Sequence, residues 1–286
     1  MKKMKENKIV KSILVLFLCS IMIFFLTGCS KQDEGEKIKV KVNEEIHYIE
    51  SKILQMLNDL NNIKLSDYKI STETMQGDAE DASKKQKNET GDGSSGSQSE
   101  NTVQYKAVPN VVVGSDYTPQ WNNLKSDIES TQNTWASIVL DLYQVGIPDE
   151  EIVGFSNDLN VIITNISAEN KTDSLNNLAK LYGYLPNYLN HFLNDQKEVQ
   201  LAYTKSHVIN AYVLIEQEDW TGIDDNLNKA EEAYVNVLNQ EGNQSSAYNQ
   251  DRAYILLKEM RNAIGMQNKE VLYVKYKALI EELNLL

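Results

Sequence analysis

Cysteine, proline and glycine are all scarce: 2, 4 and 13 residues in a chain of 286. The glycine content excludes a collagen-like chain, and two cysteines exclude a disulfide-dense scaffold. Basic side chains are outnumbered, 28 against 41 acidic, for a net charge of -13. Lys2, Lys3, Lys5, Lys8 and Lys11 and only one acid, Glu6, precede Cys29. The remainder therefore carries 23 basic against 40 acidic side chains, a net of -17. A body this acidic repels phosphate backbones at long range, so no nucleic-acid partner is expected. With 41% of positions apolar, the chain can fill one large domain or two small ones.

The amino terminus is the most specific stretch. After the lysines comes an apolar run, Ser12 to Leu26, shorter than the ~20 residues a spanning helix needs and suited to the apolar region of an export signal. It ends in Leu26-Thr27-Gly28-Cys29. This order of aliphatic, small, small and Cys resembles the lipobox of bacterial lipoproteins. The resemblance covers residues 1–29. It implies that residues 1–28 are a signal peptide cut between Gly28 and Cys29. It further implies that the Cys29 thiol carries diacylglycerol, that the chain is anchored to the membrane through that lipid, and that the body lies on the extracytoplasmic face of the cell membrane. Two acyl chains hold firmly where one is marginal, at about 0.8 kcal/mol per buried methylene. Cys19 leaves with the signal, so the exported body keeps no free thiol for disulfides, thiol catalysis or zinc.

Beyond Cys29, residues 29–43 read as a charged tether. Residues 44–65 place Ile46, Ile49, Ile53, Leu57 and Leu60 on one helical face. Residues 71–104 are polar, without an aromatic side chain, and read as a disordered linker that cannot bury enough apolar area to offset its ordering entropy. Tyr105 to Gly114 is β-prone and isolated.

Residues 105–286 read as a helical domain. Thr118 is placed to cap a helix with Pro119 at its first position. Trp121, Ile128, Trp135 and Leu142 then recur every seventh residue, interleaved with Leu124, Thr131, Ile138 and Val145, as a buried seam that Gly146 ends. Asp149, Glu150 and Glu151 open the next helix with charge suited to its dipole, and Ile152, Phe155, Leu159, Ile162 and Ile166 form its apolar face. Leu175, Leu178 and Leu181 mark a helix that Pro186 breaks or kinks. A longer helix runs from Tyr188 past Val213, and Trp220-Thr221-Gly222 turns the chain toward Ile223, Leu227, Ala230, Tyr234 and Val237. Two more carry Ala253, Leu257 and Met260, then Leu272, Tyr276, Leu279 and Leu283. The reading is all-α: about six helices plus one amino-terminal helix, as an antiparallel bundle or as stacked hairpins. No repeat of fixed period recurs.

Chemistry is harder to find. Glu44-x-x-His47 has the spacing of a bundle metal pair, but the second pair that a di-metal site requires is absent from the sequence. His191 and His207, 16 residues apart, face about 160° apart if their helix is continuous. Phosphate loops, nucleophile elbows and His-Glu-x-x-His do not occur. Asp224-Asp225 and Glu231-Glu232 read as solvated surface. No catalytic residue, metal ligand or cofactor is expected. Tyr182, Tyr184 and Tyr188 crowd a Gly/Pro interruption, where they either line a ligand cleft or fill a helix junction with their hydroxyls reaching out. Three functions stay open: a lipoprotein whose body binds a protein partner or scaffolds an envelope assembly, a receptor with that Tyr-lined cleft, and an envelope enzyme working through carboxylates.

Overall fold

The computed structural model describes residues 29–65, 117–240 and 247–286. The expected signal peptide, the linker 71–104, the β-prone stretch 105–114 and the 241–243 turn lie outside the described residues. Every regular element among the described residues is helical, and the fold is all-α. The helices are α1 (Cys29–Leu60), α2 (Trp121–Gln144), α3 (Asp149–Ser167), α4 (Lys171–Tyr182), α5 (Tyr184–Phe192), α6 (Gln196–Gln217), α7 (Trp220–Asn239), α8 (Ala247–Ala263) and α9 (Lys269–Leu283). A 3₁₀ turn, Ile264–Met266, lies between α8 and α9.

Several expectations are corrected. The residues read as a tether, 29–43, belong to α1, which also stops at Leu60 rather than 65. Among the described residues eight helices follow α1 instead of about six. The long helix expected from Tyr188 onward is broken at Leu193–Asp195, where the Asp195 carboxylate accepts from the Lys197 and Glu198 amides and starts α6 anew. Pro186 sits in the first turn of α5, where its missing amide costs nothing, and the interruption falls at Gly183, one turn earlier. Thr118 does not cap α2, which begins at Trp121 after Gln120 without a side-chain cap. Trp220 is the first residue of α7 rather than part of a turn. Asp219 caps it by accepting from Gly222 N, and a Cβ on Gly222 would stand 2.4 Å from the Asp219 carboxylate.

Cross-helix bonds fix the chain directions. Lys41 to Asp141 and Lys52 to Asp127 make α1 and α2 antiparallel, and Trp135 Nε1 donating to Ser156 Oγ together with Lys125 on Glu169 does the same for α2 and α3. Asp158 meets Lys180 and Tyr184, while Glu151 meets His191, so α4 and α5 run back along α3 as one broken column. Tyr203 on Asn187 and Gln217 on Asn176 turn α6 around again. Asn236 on Gln200, Arg261 on Asp224 and Lys275 on Glu259 continue the alternation through α9. α1 and α6, by contrast, run parallel, through His47 with Glu198 and Asn61 with Tyr212.

The bundle thus has two ends. One holds the start of α1, the α2–α3 turn and the α5–α6 turn. The other holds the end of α1 and the α3–α4, α6–α7 and α8–α9 turns. Every described non-glycine residue with positive φ lies at this second end: Asn62, Glu169, Glu218 and Gln267. At Glu169 and Glu218 the next amide reaches back to the carbonyl five residues earlier, Asn170 N to Asn165 O at 3.0 Å and Asp219 N to Leu214 O at 3.3 Å. These are Schellman caps built without glycine. Gly146, at φ 92°, makes the same cap at the first end. A left-handed non-glycine residue costs about 1–2 kcal/mol, partly returned because glycine is floppier when unfolded. Gln267→Gly is therefore expected to stabilise the protein by about 0.5 kcal/mol and Gly146→Ala to destabilise it by about 1 or more, read as urea midpoints.

The core is continuous along this framework. Ile46, Ile49, Ile53, Leu57 and Leu60 of α1 are buried as their spacing requires, as are Leu124, Ile128, Thr131, Trp135, Ile138 and Leu142 of α2. Trp121, expected in the same seam, is instead half-exposed and lines an open depression of about 440 Å³ with Pro119, Asn123 and Glu169.

Candidate functional site

Cys29 is the first described residue and opens α1. Gly28 and the rest of the lipobox lie outside the described residues. No described helix is long and apolar enough to cross a membrane.

The three tyrosines do not line an open cleft. Tyr182 and Tyr188 are buried, and Tyr184 is half-buried. Their hydroxyls point inward to protein acceptors: Tyr182 to Glu50 Oε1 at 2.6 Å, Tyr184 to Asp158 Oδ2 at 2.8 Å and Tyr188 to the Glu151 carbonyl at 2.9 Å. Burial pushes all three phenols up, Tyr184 to about 12, so they stay neutral donors. Tyr184 and Tyr188 join Phe155 and Trp135 in one aromatic cluster, with Trp135 stacked on Phe155 at 3.9 Å between centroids. Gly154 makes room for it, since a Cβ there would stand 2.9 Å from the Tyr184 hydroxyl.

The densest polar constellation lies elsewhere, where α1 meets α4 and α6. Glu50, buried on α1, accepts from Tyr182 through Oε1, from Lys205 Nζ at 3.1 Å through the same oxygen, and from His47 Nδ1 at 2.9 Å through Oε2. The other His47 nitrogen, Nε2, lies 2.8 Å from Glu198 Oε1, which also accepts from Asn43 Nδ2 at 3.1 Å. Both ring nitrogens facing carboxylates makes this an imidazolium that donates twice. The hydrogen bonds to Glu198 and Glu50 lift its pKa to about 9 against the effect of burial. Burial alone would raise Glu50, but His47, Lys205 and Tyr182 outweigh it and hold the carboxyl at about 2. Two anions and two cations leave the cluster neutral, which is what permits a charge at this depth.

That electrostatic arrangement is opposite to what a general acid needs. Two carboxyls do move up through burial, Glu45 and Glu282, but each faces a cation, Lys41 and Arg252 respectively. Among the described residues no group of three or more His, Cys, Asp or Glu could hold a metal ion. His47 does not use Glu44, its neighbour in the metal-like spacing; its partner is Glu50, three residues on the other side. His191 and His207 sit on different helices, so their angular relation on one helix does not arise. His191 pairs with Glu151 at 3.1 Å, and burial lowers the His207 pKa.

Glu231 and Asp224 are not merely solvated. Lys258 and Arg261 of α8 pair with Glu231, and Arg261 Nε donates to Asp224 at 3.1 Å, clamping α7 to α8. Sequence reasoning missed Glu50, Glu198 and Lys205 altogether. The one available hint was His47-x-x-Glu50, a pair three apart on a helix.

Neither the protein-family models nor the curated proteins nor the solved structures contain a match to this chain.

Proposed function

We propose that the chain is a lipoprotein of the extracytoplasmic membrane face, held by a diacylglyceryl group on Cys29, whose helical body binds a protein partner or scaffolds an envelope assembly. The observation that carries this reading is the order of basic segment, 15-residue apolar run and Leu26-Thr27-Gly28-Cys29. A partner-binding role is supported by the inertness of the polar core: its carboxylates are ion-paired, and the tyrosines that would line a ligand cleft are spent on internal bonds.

The experiment is intact mass analysis of the mature amino terminus, paired with Cys29→Ala. The expected result is a lipid-modified Cys29 as first residue in the unsubstituted protein. The variant should lose that mass and either keep its signal or leave the membrane. An unmodified Cys29 downstream of an intact Lys2-Lys3 segment would remove the reading. Crosslinking in intact cells, followed by pulldown from detergent-solubilised membranes, then tests the partner.

A further inference from the structure

The helix that starts at Cys29 does not enter the core until Val42. Its side chains Glu34, Gly35, Glu36 and Lys37 are exposed, and a Cβ on Gly35 would meet nothing within 4 Å. Lys41 bonds to Asp141 of α2 and Asn43 to Glu198 of α6. Up to Lys37, before Ile38 and Lys39 become part-buried, α1 therefore extends as helix beyond its packed part, about 14 Å at 1.5 Å per residue.

We propose that this projection is a stand-off arm that sets how the body faces the lipid bilayer. The proposal rests on the anchoring of Cys29 given above. A free helix of this length would be marginal, because the first turn is costly to nucleate. Here the nucleus is already made by the packed part of α1, and each further residue only propagates it. The Glu36 to Lys39 bond at 3.2 Å adds local support. With Cys29 in the membrane, the end of the bundle holding Gly146 and the α5–α6 turn faces lipid. The end holding Glu169, Glu218 and Met266 faces outward, about 30 Å farther along the axis.

The test uses the full-length, lipidated protein reconstituted in phosphatidylglycerol-containing vesicles with an acceptor dye in the lipid. Cys19 leaves with the signal and Cys29 is acylated, so an introduced cysteine labels alone. Asn194→Cys reports the membrane-facing end and Met266→Cys, 65% exposed, the outer end. Energy transfer to the bilayer is expected to be several-fold greater from position 194. Gly35→Pro in either labelled protein should shrink that difference by breaking the arm, without moving the melting midpoint, since Gly35 packs against nothing. Equal transfer from both positions in protein that is lipidated and floats with the vesicles would overturn the arm alone. Protein that is unlipidated and fails to float would overturn the anchoring and the arm together.

Discussion

Trp135→Ala is expected to lower the stability of the body by about 3 to 5 kcal/mol, a large share of the 5 to 15 typical of a folded domain. Trp135 is 2% exposed and sits where α2, α3 and α5 converge. Its ring stacks on Phe155 and lies 6.1 Å from Tyr188, so truncation removes transfer energy and leaves a cavity walled by rings too rigid to collapse into it. It also strips Ser156 of the donor at 2.8 Å that ties α2 to α3. In a body of this size the loss corresponds to a fall of roughly 6 to 20 °C in melting midpoint. Trp135→Phe, which keeps most of the area and loses the indole donor, should cost less than half as much. An unchanged midpoint for the alanine variant would mean that this seam is an exposed docking stripe and not the spine of the bundle.

The seam was legible because burial along a helix imposes a period, and Leu124, Ile128, Trp135, Ile138 and Leu142 obey it. So does the α1 face, while the acidic first turn of α3 was legible from its charge against the helix dipole. What stayed hidden has physical reasons. Residues 34–37 show no apolar stripe because they are exposed; they are helical by propagation from the packed part of α1, which leaves no mark of period. The helix ends at Glu169, Glu218 and Gln267 lack the glycine that usually announces a left-handed cap, so the sequence offers no stop sign there. Trp121 keeps the heptad spacing but occupies the first position of α2, where the neighbouring helices no longer cover it.

The polar cluster was invisible for another reason. Glu50 meets Tyr182 and Lys205, 132 and 155 residues away, and His47 meets Glu198 across 151. Such pairings follow from topology, in particular from α1 lying parallel to α6, and spacing along the chain does not encode them. The tyrosines illustrate the same limit from the other side. Their crowding around Gly183 and Pro186 suits a cleft or a junction equally well, and the choice is made by acceptors on other helices: Glu50, Asp158 and the Glu151 carbonyl.

Glu50→Ala is expected to destabilise the body by about 3 to 5 kcal/mol, because it removes one partner of a buried charge set and strands the others. Lys205 and the Tyr182 hydroxyl lose their shared acceptor, and His47 keeps only Glu198. Glu50→Gln, which can still accept from Tyr182, should lose less but leave the cluster with excess positive charge. The pH dependence follows from the signs of the shifts. His47 is raised from 6.5 to about 9, so its contribution is complete below about pH 6.5 and disappears as pH climbs through 9. Glu50 is lowered from 4.5 to about 2, so its contribution is complete above about pH 4.5 and disappears as pH falls toward 2. Glu198, lowered chiefly by its bond to His47, acts in the same direction as Glu50. Urea midpoints of the unsubstituted protein should therefore peak between about pH 4.5 and 6.5 and decline on the alkaline side. His47→Gln should flatten that decline and also weaken the acid limb, because His47 helps hold Glu50 and Glu198 low, and a decline of unaltered steepness in His47→Gln would show that the imidazolium does not join α1 to α6. Loss of the imidazolium loosens this joint between α1 and α6. Alkaline pH is then expected to make α1 sensitive to protease near Lys52 before the remaining helices melt.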